Sequence, residues 1–172
     1  MAQQLFIRWV IVVSIFIYTK TFNHEVTNLY QFQVNMDLYF TISELCIIDD
    51  DLPQKVADKL LRYHIEPMCH VRDSLGSAIY ASQNSGYRPV SYEKKKGRSG
   101  NSEHCFKGKG AVDWRADNMK KLIKLIIEQT DYTRICFYPD KGFVHCDYKA
   151  NDGKRYYYES DNQNNWTFIK YI

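Results

Sequence analysis

Between Ser102 and Asp113 the chain reads Ser-Glu-His-Cys-Phe-Lys-Gly-Lys-Gly-Ala-Val-Asp, setting an imidazole (His104) and a carboxylate (Asp113) on either side of a glycine-rich turn. This stretch constrains the fold most, because two such groups become a metal site only if a third ligand arrives from elsewhere. Zinc takes a few nitrogen or oxygen ligands at about 2.0–2.2 Å, and a catalytic zinc keeps one position for water. The best third ligand is His145, in Gly142-Phe143-Val144-His145-Cys146-Asp147-Tyr148. On a strand, alternation puts His145 and Asp147 on one face. The fold must therefore bring two distant segments together.

A third piece, Ser85-Gly86-Tyr87-Arg88, precedes these two. Taken in order, Ser85-Gly86-Tyr87-Arg88, Ser102-x-His104 through Gly110-Ala111-Val112-Asp113, and Phe143-Val144-His145-x-Asp147 resemble the zinc D,D/L,D-peptidases of the M15 family, which cleave peptidoglycan stem peptides or their cross-links. The resemblance covers most of the chain from about residue 36 onward. It implies a single α+β domain, an antiparallel sheet with flanking helices and a zinc site on the sheet, of the D-Ala-D-Ala carboxypeptidase/hedgehog-like kind. It also implies Zn2+ held by His104, Asp113 and His145, and Arg88 facing the substrate. Two departures stand out. Residues 105–112 form a longer insert between His104 and Asp113 than many members have, and Gly142 stands where several relatives place a carboxylate, three residues before the last histidine.

A chain of 172 residues is long enough for one domain with an ordinary hydrophobic core. Its net charge of +3 is far from the balance of a dedicated nucleic-acid binder. No nucleic-acid partner is expected; the resemblance implies peptidoglycan peptides as the partner, with the protein a monomer. Five cysteines without a CxxC pair, an odd number, read as buried thiols rather than a secreted disulfide framework. Cys105 and Cys146 adjoin the proposed histidine ligands, but Cys146 points away from the face that carries His145.

Residues 1–35 stand outside the fold argument. The apolar run from Trp9 to Tyr18 is short for a membrane span of about 20 residues. Three readings compete: an export signal, a membrane anchor, or an upstream extension of a reading frame that truly opens near Met36. A signal or anchor implies the bacterial cell envelope; otherwise a phage-type lysin would reside in the cytoplasm before release.

The proposed peptidase domain, residues 36–172, begins its regular structure with a helix capped at Asp51, with Pro53 in the first turn. Val56, Leu60, Ile65, Met68, Val71 and Leu75 recur at helical spacing, Pro67 kinks or divides the helix, and Gly76 ends it. His64 and His70 lack partners at ligand spacing and are left out of the site. A strand over 78–82 leads to Arg88. Residues 91–101 read as a basic, glycine-punctuated loop, and 117–129 as an amphipathic helix packed on a sheet. Strands at 134–138 and 142–148 pair through the turn at Pro139 to Gly142. Residues 155–159 add another, and a polar loop leads to Trp166, where the chain closes.

The chemistry that the resemblance implies for this ligand set is zinc-dependent hydrolysis of a peptide bond, as a carboxypeptidase or endopeptidase. A water at the metal has its pKa lowered to roughly 7, and Arg88 steadies the oxyanion. A carboxylate must carry the proton. Asp147 is favoured, the alternative for it being a partner that only orients a ligand histidine; Asp140 in the adjoining turn follows, and Glu103 is third. The competing reading is a catalytically inactive cell-wall-binding domain on the same scaffold.

Overall fold

The computed structural model describes residues 39–47 and 52–172. The apolar segment at 1–35, the start near Met36 and the cap at Asp51 lie outside the described residues. Residues 39–172 belong to one unit, built as a mixed α+β fold around a six-stranded, mostly antiparallel sheet.

The first helical stretch runs as α1 (Gln54–Leu60), a π-helical turn (Leu61–Ile65) and α2 (Glu66–Leu75). All six apolar residues at helical spacing are buried, from Val56 to Leu75. Each full burial of a Leu or Ile side chain contributes about 1.5–3 kcal/mol relative to exposure. Pro67 divides the helix as its chemistry requires: it has no N–H for the Tyr63 carbonyl one turn back. The wide turn precedes it, and the Tyr148 hydroxyl donates to that carbonyl instead, at 2.8 Å.

The sheet order is β1-β2-β4-β3-β5-β6, with β1 (Ile79–Tyr80), β2 (Ala111–Ala116), β3 (Arg134–Tyr138), β4 (Phe143–Asp147), β5 (Tyr156–Ser160) and β6 (Trp166–Tyr171). Neighbours are antiparallel except β3 and β5. The hairpin β3–β4 forms as expected, through a 3-10 turn at Pro139–Lys141. Alternation sorts the central strands. Val112, Trp114, Ile135, Val144 and Cys146 are buried on one face, which meets α4 (Met119–Gln129), itself packed on α2. Asp113, His145 and Asp147 turn to the other face.

Three expectations change. Val90–Lys95 is a helix, α3, not part of a loop. Its Glu93 is buried and accepts from Arg98 at 2.9 Å, with Arg88 Nε 3.0 Å away, so a tertiary ion cluster organises what looked like a solvated charge run. The strand expected over 78–82 is only Ile79–Tyr80, because β1 meets β2 over two residues. And Trp166 does not close the fold but opens β6, paired with β5. Among the described residues no helix is long and apolar enough to cross a membrane.

Candidate metal centre

Strand pairing puts Asp113 of β2 directly opposite His145 of β4. His104 comes from a 3-10 turn, Glu103–Cys105, capped by the Ser102 side chain. Three atoms converge: His145 Nδ1 is 2.8 Å from Asp113 Oδ1 and 3.2 Å from His104 Nε2, and His104 Nε2 is 3.5 Å from Asp113 Oδ1. A tetrahedral ion with bonds of about 2.1 Å needs ligand atoms roughly 3.4 Å apart. This trio meets that requirement, and these side chains form a group that could hold a metal ion.

The outer nitrogens fix which atoms face inward. His104 Nδ1 donates to the Gly86 carbonyl at 2.9 Å, leaving the Nε2 lone pair for the centre. His145 Nε2 donates to Asp147 Oδ2 at 3.0 Å, which aims Nδ1 inward. Such outer partners set ring orientation and raise ligand basicity. The Ser85-Gly86-Tyr87-Arg88 segment contributes three backbone groups to this frame. The Asp113 N–H donates to the Ser85 carbonyl, and the Arg88 N–H donates to the His104 carbonyl. Gly86 is required here by close packing, since a Cβ would come within 2.2 Å of the Leu45 carbonyl oxygen.

The long insert does not keep the ligands apart. Phe106 is buried and sits against Gly110, where a Cβ would collide with the Phe106 ring at 2.3 Å. Lys59 Nζ donates to the Phe106 carbonyl at 2.9 Å, and His64 Nε2 is 3.1 Å from the Lys109 carbonyl. The loop is thus tied to the helix beneath it, and returns the chain to β2 in register.

Charge at the centre follows its partners. Burial pushes the His145 imidazole down, but hydrogen bonds to Asp113 and Asp147, with their charges, outweigh it and bring the group up to about 9. Burial raises the Asp113 carboxyl, yet the two histidines hold it well below the usual range. In the metal-free protein a proton on His145 Nδ1 fills the place where three lone pairs would otherwise meet.

Of the remaining expected residues, Arg88 lines the cavity of about 1050 Å³ above the triad; its Nη2 also donates to Ser102 Oγ at 3.4 Å. Asp147 is fully buried behind His145. It takes a two-pronged contact from Arg134, at 2.8 and 2.5 Å, and the Lys149 N–H at 2.9 Å. That is the position of an orienting partner, with its lone pairs engaged away from the cavity. Asp140 is exposed on the β3–β4 turn and does not line the cavity. Glu103, ranked third, does line it, held 3.2 Å from Lys149 Nζ. Cys105 and Cys146 are buried free thiols that burial pushes up, and neither joins the triad.

Sequence reasoning missed Arg134, which strand register sets opposite Asp147, and Trp166, whose ring lies 5.5 Å from that of His145. Alternation along 134–138 would have put Arg134 on the same face once the register of β3 against β4 was known. Comparison with known proteins adds no family: no family model matches the chain, and no curated protein or solved structure matches it.

Proposed function

We propose that this protein is a zinc-dependent peptidase that hydrolyses peptide bonds of peptidoglycan stem peptides or cross-links, on the sheet scaffold of the M15 peptidases. The observation that carries this reading is the convergence of His104 Nε2, Asp113 Oδ1 and His145 Nδ1 with both outer imidazole nitrogens already tied. Neutral imidazoles and a carboxylate suit Zn2+, and these residues would hold it. When bound, zinc lowers the pKa of a water to roughly 7 and polarises a carbonyl.

The chain's own residues supply the rest. Asp147 keeps the His145 Nε2 proton in place, so that Nδ1 remains the ligand atom. Arg88, backed by the buried Glu93, is positioned to receive negative charge developing on a carbonyl oxygen. Glu103 is the carboxylate that lines the cavity without belonging to the triad, so it is the group to accept a proton from the attacking water and return it to the leaving amine. Glu103→Gln should then lower kcat by about 10²–10⁴-fold while zinc content stays at one per chain.

The test is mass spectrometry of purified peptidoglycan fragments incubated with the protein, with and without chelator. Release of peptide that stops on chelation is the expected result. Gly142 and the exposed Asp140 leave the usual upstream position without a carboxylate, which favours a second reading, a wall-binding domain without catalysis. Retained affinity for the fragments with no new products, zinc bound, would establish that reading instead.

A further inference from the structure

The cavity above the triad is lined by six cations, Arg88, Arg98, Arg115, Arg134, Lys141 and Lys149. Four of them have carboxylate partners. Arg88 and Arg98 share Glu93, Arg134 grips Asp147, and Lys149 faces Glu103. Arg115 and Lys141 differ. Arg115 lies over the Phe143 ring, 5.7 Å from its centroid. Lys141 donates to Asn164 Oδ1 and sits 5.3 Å from the Tyr138 ring. Their partners are neutral, and no ion pair joins either to a carboxylate among the described residues.

Lys141 is also held in place by Asn164, and Arg115 is placed by its backbone in β2. Asn164 belongs to the β5–β6 turn, where Asp161 accepts the backbone N–H groups of Gln163 and Asn165 and the side-chain amide of Asn165. Arg115 follows Asp113 by two positions on β2, hence on the same face and about 7 Å along the strand. Lys141 ends the turn that opens β4. The pair therefore marks the end of the cavity toward the β3–β4 turn, with the triad beyond it. Uncompensated, pre-positioned positive charge beside a reactive centre favours an anionic ligand group and sets specificity.

We propose that Arg115 and Lys141 form an anion subsite that selects acidic peptides, taking a substrate carboxylate within about two residues of the scissile bond, since an extended chain advances roughly 3.3–3.6 Å per residue. This inference rests on the zinc-peptidase reading and adds a substrate class to it. Both side chains are exposed, so neutral variants keep the fold.

The experiment compares two peptidoglycan stem peptides that differ only in whether their acidic side groups are free carboxylates or primary amides. The zinc-loaded wild type should favour the acidic peptide by about tenfold or more in kcat/KM, mainly through KM, a ratio equivalent to one 1.4 kcal/mol step. Added salt should shrink the preference. In the double variant Arg115→Gln, Lys141→Gln the ratio should approach one. Equal cleavage of both peptides by the wild type, or an undiminished ratio in the double variant, overturns the subsite. No cleavage of either peptide overturns the peptidase reading instead. Calorimetric binding of the same two peptides still tests the subsite in that case: the acidic one should bind about tenfold tighter to the wild type only, and equal binding overturns it.

Discussion

His64 and His145 are both buried histidines, one beneath the helix-covered face of the sheet and the other on its open face, and their surroundings move them in opposite directions. His64 is enclosed by Tyr132, Phe106 and Tyr148. Its Nδ1 is 3.0 Å from the Tyr132 hydroxyl, which accepts from Trp114 Nε1 and so donates to His64; the His64 Nε2–H then donates to the Lys109 carbonyl. With no carboxylate hydrogen-bonded to it, desolvation outweighs the Lys109 carbonyl and the more distant Asp147 charge, and the group falls to about 3. His145 is also buried, at the floor of the cavity, but lies between Asp113 and Asp147, and rises to about 9. Burial alone makes a neutral structural imidazole. Paired carboxylates make one that holds a cation, whether proton or metal.

The contrast breaks first at the ligands. His145→Ala should lower zinc affinity by more than about 100-fold, beyond the range seen when only an outer partner is lost, whereas His64→Ala should leave zinc stoichiometry at one; calorimetric titration with zinc distinguishes the two. Next comes the acid limb. Because the folded value of His64 lies below its unfolded value near 6.5, its contribution is present above that pH and is lost as pH falls toward 3, on the order of 5 kcal/mol. Denaturant melts at descending pH should show this slope, and His64→Gln should flatten it.

The metal-free alkaline limb runs the other way. The folded value of His145 is raised, so its contribution is complete below about 6.5 and disappears as pH rises through 9, on the order of 3 kcal/mol. Melts with chelator should weaken over that window, while zinc should restore stability there, since the metal takes the place of the proton. The smallest effect belongs to the outer partner. Asp147→Asn should cost about 10–100-fold in zinc affinity, and no loss in a zinc titration would mean that Asp147 does not orient His145.

These differences explain what could be read from the chain beforehand. His104, Asp113 and His145 announce themselves because ligand types at turn and strand spacing are local patterns, and the hairpin between 134 and 147 carries its own turn residues. The backbone carbonyls of Ser85 and Gly86 leave no side-chain signature, so their bonds to Asp113 and His104 become visible only in three dimensions. Helix α3 escaped notice because its stability depends on Glu93 meeting Arg88 and Arg98 in the folded protein. Strand β6 escaped for a similar reason: its exposed residues carry no inward alternation, and β5 supplies its order, with a register shift at Tyr157/Tyr158. The sequence ranks Asp147 above Glu103 because spacing shows which face a carboxylate shares, but it does not show that Arg134 already occupies Asp147 while Glu103 lines the cavity.

Anomalous diffraction at the zinc edge from zinc-soaked crystals tests the central claim most directly. The account predicts a single strong peak about 2.0–2.2 Å from His104 Nε2, Asp113 Oδ1 and His145 Nδ1, with Asp147 still bonded to His145 Nε2. A peak elsewhere, or none while His145 Nδ1 stays hydrogen-bonded to Asp113, would contradict it.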